Sequence, residues 1–248
     1  MASTLAAALR RCTTTDEAAA VHDLRVVLRR LRLHLRAGRP LVVPATVAAF
    51  RRWASGLSHA SGPVRDYDVA LEWLEANAGG PVALGRLQAR RRLVWRALRR
   101  RLTPPPPALA AGFRSVGRER RAGERLRKRV AKLEARFRLA VQTALPRLVR
   151  LPPEAQHDLR RQVRRWRYLR EFALPAGQSK SDPLLRRLVR LQTALGEQQD
   201  RAGVLRALGR VQGVPRVARL RREARDQRAA ARRAIARAAR PFLRPGPR

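Results

Sequence analysis

The sequence predicts an all-α protein. Alanine, leucine and arginine dominate its 248 residues, and all three favour helix. Runs of β-branched residues with alternating polarity, which would indicate strands, are absent. Apolar residues make up 45% of the chain, which is enough to build a core between packed helices.

Turn signals divide the chain into candidate helices. Proline and glycine cluster repeatedly, as at Ser61-Gly62-Pro63, and the four prolines at 104–107 cannot continue a helix. These signals predict a first segment over residues 1–107 and a second over 108–248. The predicted helices cover 3–11, 21–37, 45–59, 66–78, 82–102, 117–150, 154–173, 183–197, 199–210 and 215–240.

The charge balance points to an acidic partner. The chain has 57 lysines and arginines against 18 aspartates and glutamates, a formal net charge of +39. Such a charge repels itself in a compact fold unless anions offset it. Nearly all the basic residues are arginines, whose planar fork suits phosphate. Nucleic acid, an anionic membrane surface and a phosphate polymer are all compatible with this composition.

No pattern of catalytic residues is visible. The lone cysteine, Cys12, excludes a disulfide framework within the chain, and no phosphate-binding glycine loop or zinc motif is present. The acids are few and scattered, so we expect a binding protein that is not an enzyme and needs no cofactor or metal. No apolar signal segment or run of roughly 18–20 apolar residues occurs, and we therefore expect a cytoplasmic protein.

An internal repeat organises the chain. The pattern HDLRxxxRRxR begins at His22 and again at His157, 135 positions later. A glycine and an aspartate follow each copy at nearly matched distances, 44 positions from His22 to Asp66 and 43 from His157 to Asp200. The glycines are Gly62 and Gly196. Two landmarks repeated in order indicate duplication of a unit of about 100 residues.

Helical geometry places the cations of each copy on one face. Leu24, Leu28, Leu31 and Leu35 share an apolar face, and the basic residues line an adjoining one that extends for about 20 Å. We call these basic faces the first and second cationic rows. The first row comprises His22, Arg25, Arg29, Arg32 and Arg36, and the second comprises His157, Arg160, Arg164 and Arg167. In the second copy the apolar face is formed by Leu159, Val163 and Trp166.

The acids beside the rows have structural interpretations. Asp23 and Asp158 are candidates for salt bridges. Asp66 and Asp200 follow glycine-containing turns, so each is expected to cap a helix or to orient an arginine. Protonation of the two row histidines near neutral pH would strengthen contact with an anion.

The repeated segments resemble the CHAD family, the conserved histidine α-helical domain. The resemblance rests on residues 21–32 and 64–69 in the first half and on 157–168 and 195–200 in the second. It implies two pseudo-symmetric four-helix bundles around a basic central channel, binding of inorganic polyphosphate and association with polyphosphate granules. Carried over by position, the binding residues are His22, Arg25, Arg29, Arg30, Arg32, Arg36, His157, Arg160, Arg164, Arg165 and Arg167. Gln199 stands where the first half has Arg65, so a symmetric anion contact is not expected there.

Two other functions remain open on the sequence alone. The net charge favours some non-specific affinity for nucleic acid. The basic surface, including residues 118–129, would also suit a scaffold that docks acidic proteins or anionic lipid. Aromatic residues make up only 4% of the chain, and the four tryptophans sit at apolar positions suited to core packing. Since single-strand binders usually stack bases on aromatic rings, polyphosphate is the expected ligand.

Overall fold

The computed structural model describes residues 2–107, 121–175, 177–179, 181–211 and 216–243. These residues form eight α-helices and two short 3-10 helices, Arg39–Leu41 and Leu145–Arg150, and they contain no strand. The all-α prediction is confirmed. The α-helices are α1 (Ala2–Thr14), α2 (Ala18–Ala37), α3 (Pro44–Ala76), α4 (Pro81–Arg99), α5 (Ala122–Ala144), α6 (Pro153–Ala173), α7 (Pro183–Gly209) and α8 (Val217–Leu243).

The chain divides into two compact units. The first contains the described part of Met1–Leu126 together with Gly203–Arg221, and the second contains Arg127–Ala202 with the described part of Arg222–Arg248. The first unit therefore includes the end of α7 and the start of α8. The division at 107/108 and the basic channel stay predictions, and residues 108–120 lie outside the described residues.

The core of the first unit forms around the leucine face of α2. Leu24, Leu28, Leu31 and Leu35 are each 2% exposed or less, as the helical periodicity predicts. They belong to one apolar cluster that also includes Phe50 of α3. Burying each leucine contributes roughly 1.5–3 kcal/mol, so this face fixes the rotation of α2 about its axis. The first cationic row is thereby turned away from the core.

The second unit has an equivalent core on α6. Leu159, Val163 and Trp166 are buried, as predicted. The ring of Trp166 meets Phe242 of α8 edge-on, with centroids 5.8 Å apart, and its Nε1 donates to Glu134 Oε1 at 3.3 Å. The same burial pattern thus orients the second cationic row.

Three of the four tryptophans are core residues, as expected. Trp73, Trp95 and Trp166 are at most 6% exposed. Trp53 is half-buried, packs against the core of the first unit and donates from Nε1 to the Thr103 carbonyl oxygen at 3.2 Å. None of these rings is widely open to a nucleobase.

Two predicted helix breaks are wrong. The helices expected at 45–59 and 66–78 are one helix, α3, which passes through Pro63, and those expected at 183–197 and 199–210 are one helix, α7. An internal proline costs a helix about 3 kcal/mol. Pro63 lies on the exposed side of α3, while Leu57, Val64 and Tyr67 are buried on either side of it. Burial along both halves of α3 outweighs the loss of one hydrogen bond.

Helix length and polarity also bear on membranes. None of the helices in the described ranges is both long enough and apolar enough to cross a bilayer.

Replacement of Pro63 by alanine tests this account of α3. Pro63→Ala restores an amide donor inside the helix and is expected to raise the free energy of unfolding by about 1–3 kcal/mol. Pro44→Ala is the matched control, because Pro44 begins α3, where a missing donor costs little, and we expect a change below about 1 kcal/mol. Both are measured by chemical denaturation. A loss of stability in Pro63→Ala would contradict a continuous α3.

Candidate functional site

The first cationic row lies on the face of α2 that adjoins its buried leucines. His22 and Arg32 are exposed, and Arg25, Arg29 and Arg36 are half-buried. The flanking Arg30 is also half-buried, and its charge acts on His34 further along the helix. The five residues of the first row therefore share one basic face, and Arg30 lies to one side of it.

Arg25 contacts the neighbouring helix of its own unit. Its Nη1 donates to the Ser58 carbonyl oxygen at 3.1 Å and to Ser61 Oγ at 3.0 Å. A Cβ atom placed on Gly62 would lie 3.7 Å from the same nitrogen. The guanidinium therefore rests on α3 at the one position of that turn that has no side chain. Arg25 joins α2 to α3.

Arg160 repeats this contact in the second unit. Its Nη1 donates to Gln199 Oε1 at 3.0 Å, and its Nη2 lies 3.8 Å from Asp200 Oδ1. A Cβ atom placed on Gly196 would lie 3.4 Å from Nη2. The two sequence landmarks thus meet in each unit. The arginine of HDLR packs over the glycine that precedes the aspartate by four positions.

The residue three positions after each landmark glycine lies near the row histidine. Gln199 Oε1 lies 2.8 Å from His157 Nδ1, so this one amide oxygen contacts both His157 and Arg160. In the first unit the equivalent residue is Arg65. Burial lowers the pKa of His22, and the nearby charges of Arg65 and Arg29 lower it further. The lowered pKa favours the neutral His22 imidazole, whereas the protonated ring would strengthen contact with an anion.

Arg29 and Arg32 lie in the middle of the first row. Arg29 Nε is buried and has no hydrogen-bond partner in the described part of the chain. Arg32 Nη1 approaches Ser58 Oγ at 3.5 Å, and burial, followed by the charge of Arg51, lowers the Arg32 pKa. No ion pair of the described residues includes either side chain. An added anion would therefore relieve both desolvation and repulsion here.

In the second row, Arg164 is half-buried and Arg167 has contacts within its own unit. Arg167 lies over the Tyr168 ring at 4.6 Å and its Nη1 is 3.6 Å from Glu171 Oε1. Arg165, on the flank, lies 5.9 Å from the Phe137 ring centroid. These stacked guanidiniums keep their charge while their position is fixed.

The acids near the rows behave partly as predicted. Asp23 pairs with Arg11 and Asp158 with Arg161, which confirms the salt-bridge interpretation. The capping interpretation is wrong, because Asp66 and Asp200 lie inside continuous helices. Asp200 instead lies beside Arg160, in agreement with the alternative that it orients an arginine. In the described ranges, no three histidine, cysteine or acidic side chains are grouped closely enough to hold a metal ion.

Several site residues were missed because α3 was predicted as two helices. On the continuous helix one face carries Arg51, Ser55, Ser58, Gly62 and Arg65, spaced at i, i+4, i+7, i+11 and i+14. Small residues occupy its middle and arginines its two ends. The sequence contains this spacing, but the spacing places the five residues on one face only if the helix continues through Pro63.

A family model for the CHAD domain matches residues 2–210. This chain belongs to the CHAD domain family. The fold of this CHAD chain is similar to the crystal structure of the CHAD domain from the plant Ricinus communis, with a TM-score of 0.66 and 21% identity over 98% of this chain and 87% of that one. It is also similar to PptA from Streptomyces chartreusis, with a TM-score of 0.55 and 19% identity over 96% and 95% of the two chains. A comparison with curated proteins gives no match.

The packing of the CHAD arginine over glycine can be tested with two glycines of α3. A leucine at Gly62 would occupy the place of the Arg25 guanidinium, and Gly62→Leu is expected to lower the free energy of unfolding by about 2 kcal/mol. A Cβ at Gly56 meets no atom within 4 Å, so Gly56→Leu should raise it by up to about 1 kcal/mol through helix propensity. Thermal and urea denaturation compare the two. Equal effects would show that Arg25 does not depend on Gly62.

Proposed function

We propose that this CHAD chain binds inorganic polyphosphate along its two cationic rows. The observation that carries the proposal is the repeated contact of Arg25 with Gly62 and of Arg160 with Gly196, one in each unit. It positions the same helical face of HDLRxxxRRxR twice, although the two halves differ in most other residues. The family to which the chain belongs supports the same ligand.

The chemistry of the rows suits a long phosphate chain. Arginine forms paired, charge-assisted hydrogen bonds with phosphate oxygens and keeps its charge when partly buried. A row about 20 Å long presents these groups along a line, so a linear polymer can contact several of them at once. Each contact also offsets the repulsion between neighbouring guanidiniums. The proposed role is binding, which includes association with polyphosphate granules, and not catalysis.

Nucleic acid is the main competing ligand. Binding of single strands generally uses exposed aromatic rings on which bases stack. Trp73, Trp95 and Trp166 are buried, and Trp53 is bonded to Thr103. A ligand that offers phosphate without bases therefore matches the rows better than DNA or RNA does.

Charge reversal in the first row tests the location of binding. Arg29→Glu with Arg32→Glu is expected to weaken binding of long-chain polyphosphate by about tenfold or more, because two charged contacts are replaced by repulsion. Arg25 and Arg160 are poor choices for this purpose, since their loss would also disturb helix packing. Isothermal titration calorimetry gives the affinities, and circular dichroism checks the fold.

The matched control lies on α8. Arg232→Glu with Arg233→Glu makes the same change in net charge at two exposed residues outside the rows. Binding to this variant should stay within about threefold of the unaltered protein, since only the general field changes. Equal losses in the two variants would place binding in the bulk charge and contradict the proposal.

The state of His22 predicts a pH dependence. Burial and nearby arginines lower its pKa below 6.5, and a bound polyanion offsets those arginines and raises it again. Binding then takes up a proton at His22, so affinity should increase as the pH falls from about 8 to about 6. The His22→Gln variant should show a smaller increase. Calorimetry in buffers of different ionisation enthalpy measures the proton uptake, and an unchanged uptake in His22→Gln would contradict this role.

A further inference from the structure

A separate basic cavity lies in the first unit, where the end of α1 approaches α4. Its volume is about 500 Å³, within the range of small-molecule sites. No residue of the first cationic row lines it. Its lining includes Thr13, Thr15, Arg92, Trp95, Arg96 and Arg99.

Hydrogen bonds from two arginines hold the turn after α1 against α4 beside this cavity. Arg91 Nε donates to the buried carboxylate of Asp68 at 2.6 Å, and Arg91 Nη2 donates to the Asp16 carbonyl oxygen. Arg99 Nη2 donates to the Thr13 carbonyl oxygen at 3.2 Å. These bonds fix the turn after α1 against α4. The cavity is therefore preformed, which lowers the entropic cost of filling it.

Three arginines of α4 provide its positive charge. Arg92, Arg96 and Arg99 are spaced at i, i+4 and i+7, so they share one face within about 10 Å along the helix. No ion pair among the described residues includes Arg92 or Arg96. Asp16 is the single acid in the lining, and its Oδ2 lies 3.6 Å from Arg91 Nη1. Positive charge thus exceeds negative charge in a confined space.

The threonines add polar groups of two kinds. Thr13 Oγ1 donates to the Arg10 carbonyl oxygen at 2.7 Å, so its hydrogen is already used. Thr15 Oγ1 accepts from the Glu17 amide at 3.2 Å, which leaves the hydroxyl hydrogen able to donate to an anion. Trp95 is 6% exposed and offers little ring surface for stacking.

We propose that this cavity binds a compact oligophosphate group, independently of the two cationic rows. Three guanidiniums and one hydroxyl donor match several adjacent phosphate oxygens. The short span of the cluster fits a group of two or three phosphates and cannot follow a long polymer as a row can. Inorganic tripolyphosphate and the phosphates of a nucleotide share this chemistry.

Calorimetric titration with sodium tripolyphosphate tests the site. The variant Arg92→Glu with Arg96→Glu should lose one class of sites, with binding there weakened by about tenfold or more. The control Arg100→Glu with Arg101→Glu makes the same charge change just beyond α4 and outside the lining, and should retain that class. If the double variant unfolds, the milder variant Arg96→Gln replaces it. Arg96→Gln is expected to show a smaller but measurable loss of tripolyphosphate binding at the cavity. Equal binding by the cavity and control variants overturns the proposal.

Further titrations identify the source of the phosphates and the independence of the site. If ADP binds and its binding is weakened only in the cavity variant, the site is assigned to nucleotides. If tripolyphosphate shows this behaviour and ADP does not, the site is assigned to inorganic oligophosphate. If neither ligand distinguishes the cavity variant from its control, the proposal is wrong. Binding of tripolyphosphate at the cavity should persist in the row variant Arg29→Glu with Arg32→Glu. A failure of the cavity proposal can therefore be distinguished from a failure of the proposed polyphosphate binding by the rows.

Discussion

An arginine guanidinium packed over a glycine is the contact on which the rest of each unit depends. Arg25 needs the surface of α3 at Gly62, and Arg160 needs that of α7 at Gly196. Each guanidinium joins the helix that carries a cationic row to the helix beside it, while the buried apolar face fixes the rotation of the row helix. A Cβ at either glycine would already lie within van der Waals distance of the guanidinium, so a side chain longer than alanine would compete with the arginine for this surface. Each copy of the repeat therefore contains an arginine and a glycine that lie 36 or 37 positions apart in the sequence. The contact between them helps to position the cationic row.

The same residue type has two opposite tasks in this chain. Arg25, Arg91 and Arg160 donate hydrogen bonds to carbonyl, amide or carboxylate oxygens of the protein and stabilise the fold. Arg29 and Arg32 lie in the first row and have no ion pair among the described residues. Partial desolvation of their guanidiniums and repulsion from neighbouring arginines destabilise the fold. Under the proposed function, a bound phosphate polymer would remove that penalty. The arginines are thus of two kinds. Some hydrogen-bond to a neighbouring helix and stabilise the fold, and others have no ion pair among the described residues and are proposed to bind an anion.

Much of the fold could be predicted because it depends on periodic burial. The leucines of α2 and the apolar residues Leu159 and Val163 of α6 follow helical spacing, and they are buried as expected. The continuity of α3 could not be predicted, since the local cost at Pro63 is visible in the sequence while the burial of both flanking segments is a tertiary effect. That error hides the face that Arg51 shares with Ser58 and Gly62 and suggests a cap at Asp66, whereas Arg65 is left out of the expected site because Gln199 replaces it in the second half. The sequence also cannot distinguish an arginine that joins two helices, such as Arg25, from one that is proposed to bind the ligand, such as Arg29, because both occupy the same helical face.

The central claim is that the placed rows, and not the bulk charge, select polyphosphate. A competition titration with labelled RNA addresses it most directly, with long-chain polyphosphate and unlabelled RNA as competitors on an equal-phosphate basis and at matched salt. The account predicts that polyphosphate displaces the label at a phosphate concentration about tenfold lower, or less, than RNA requires. Equal potency per phosphate would contradict it and leave a general polycation.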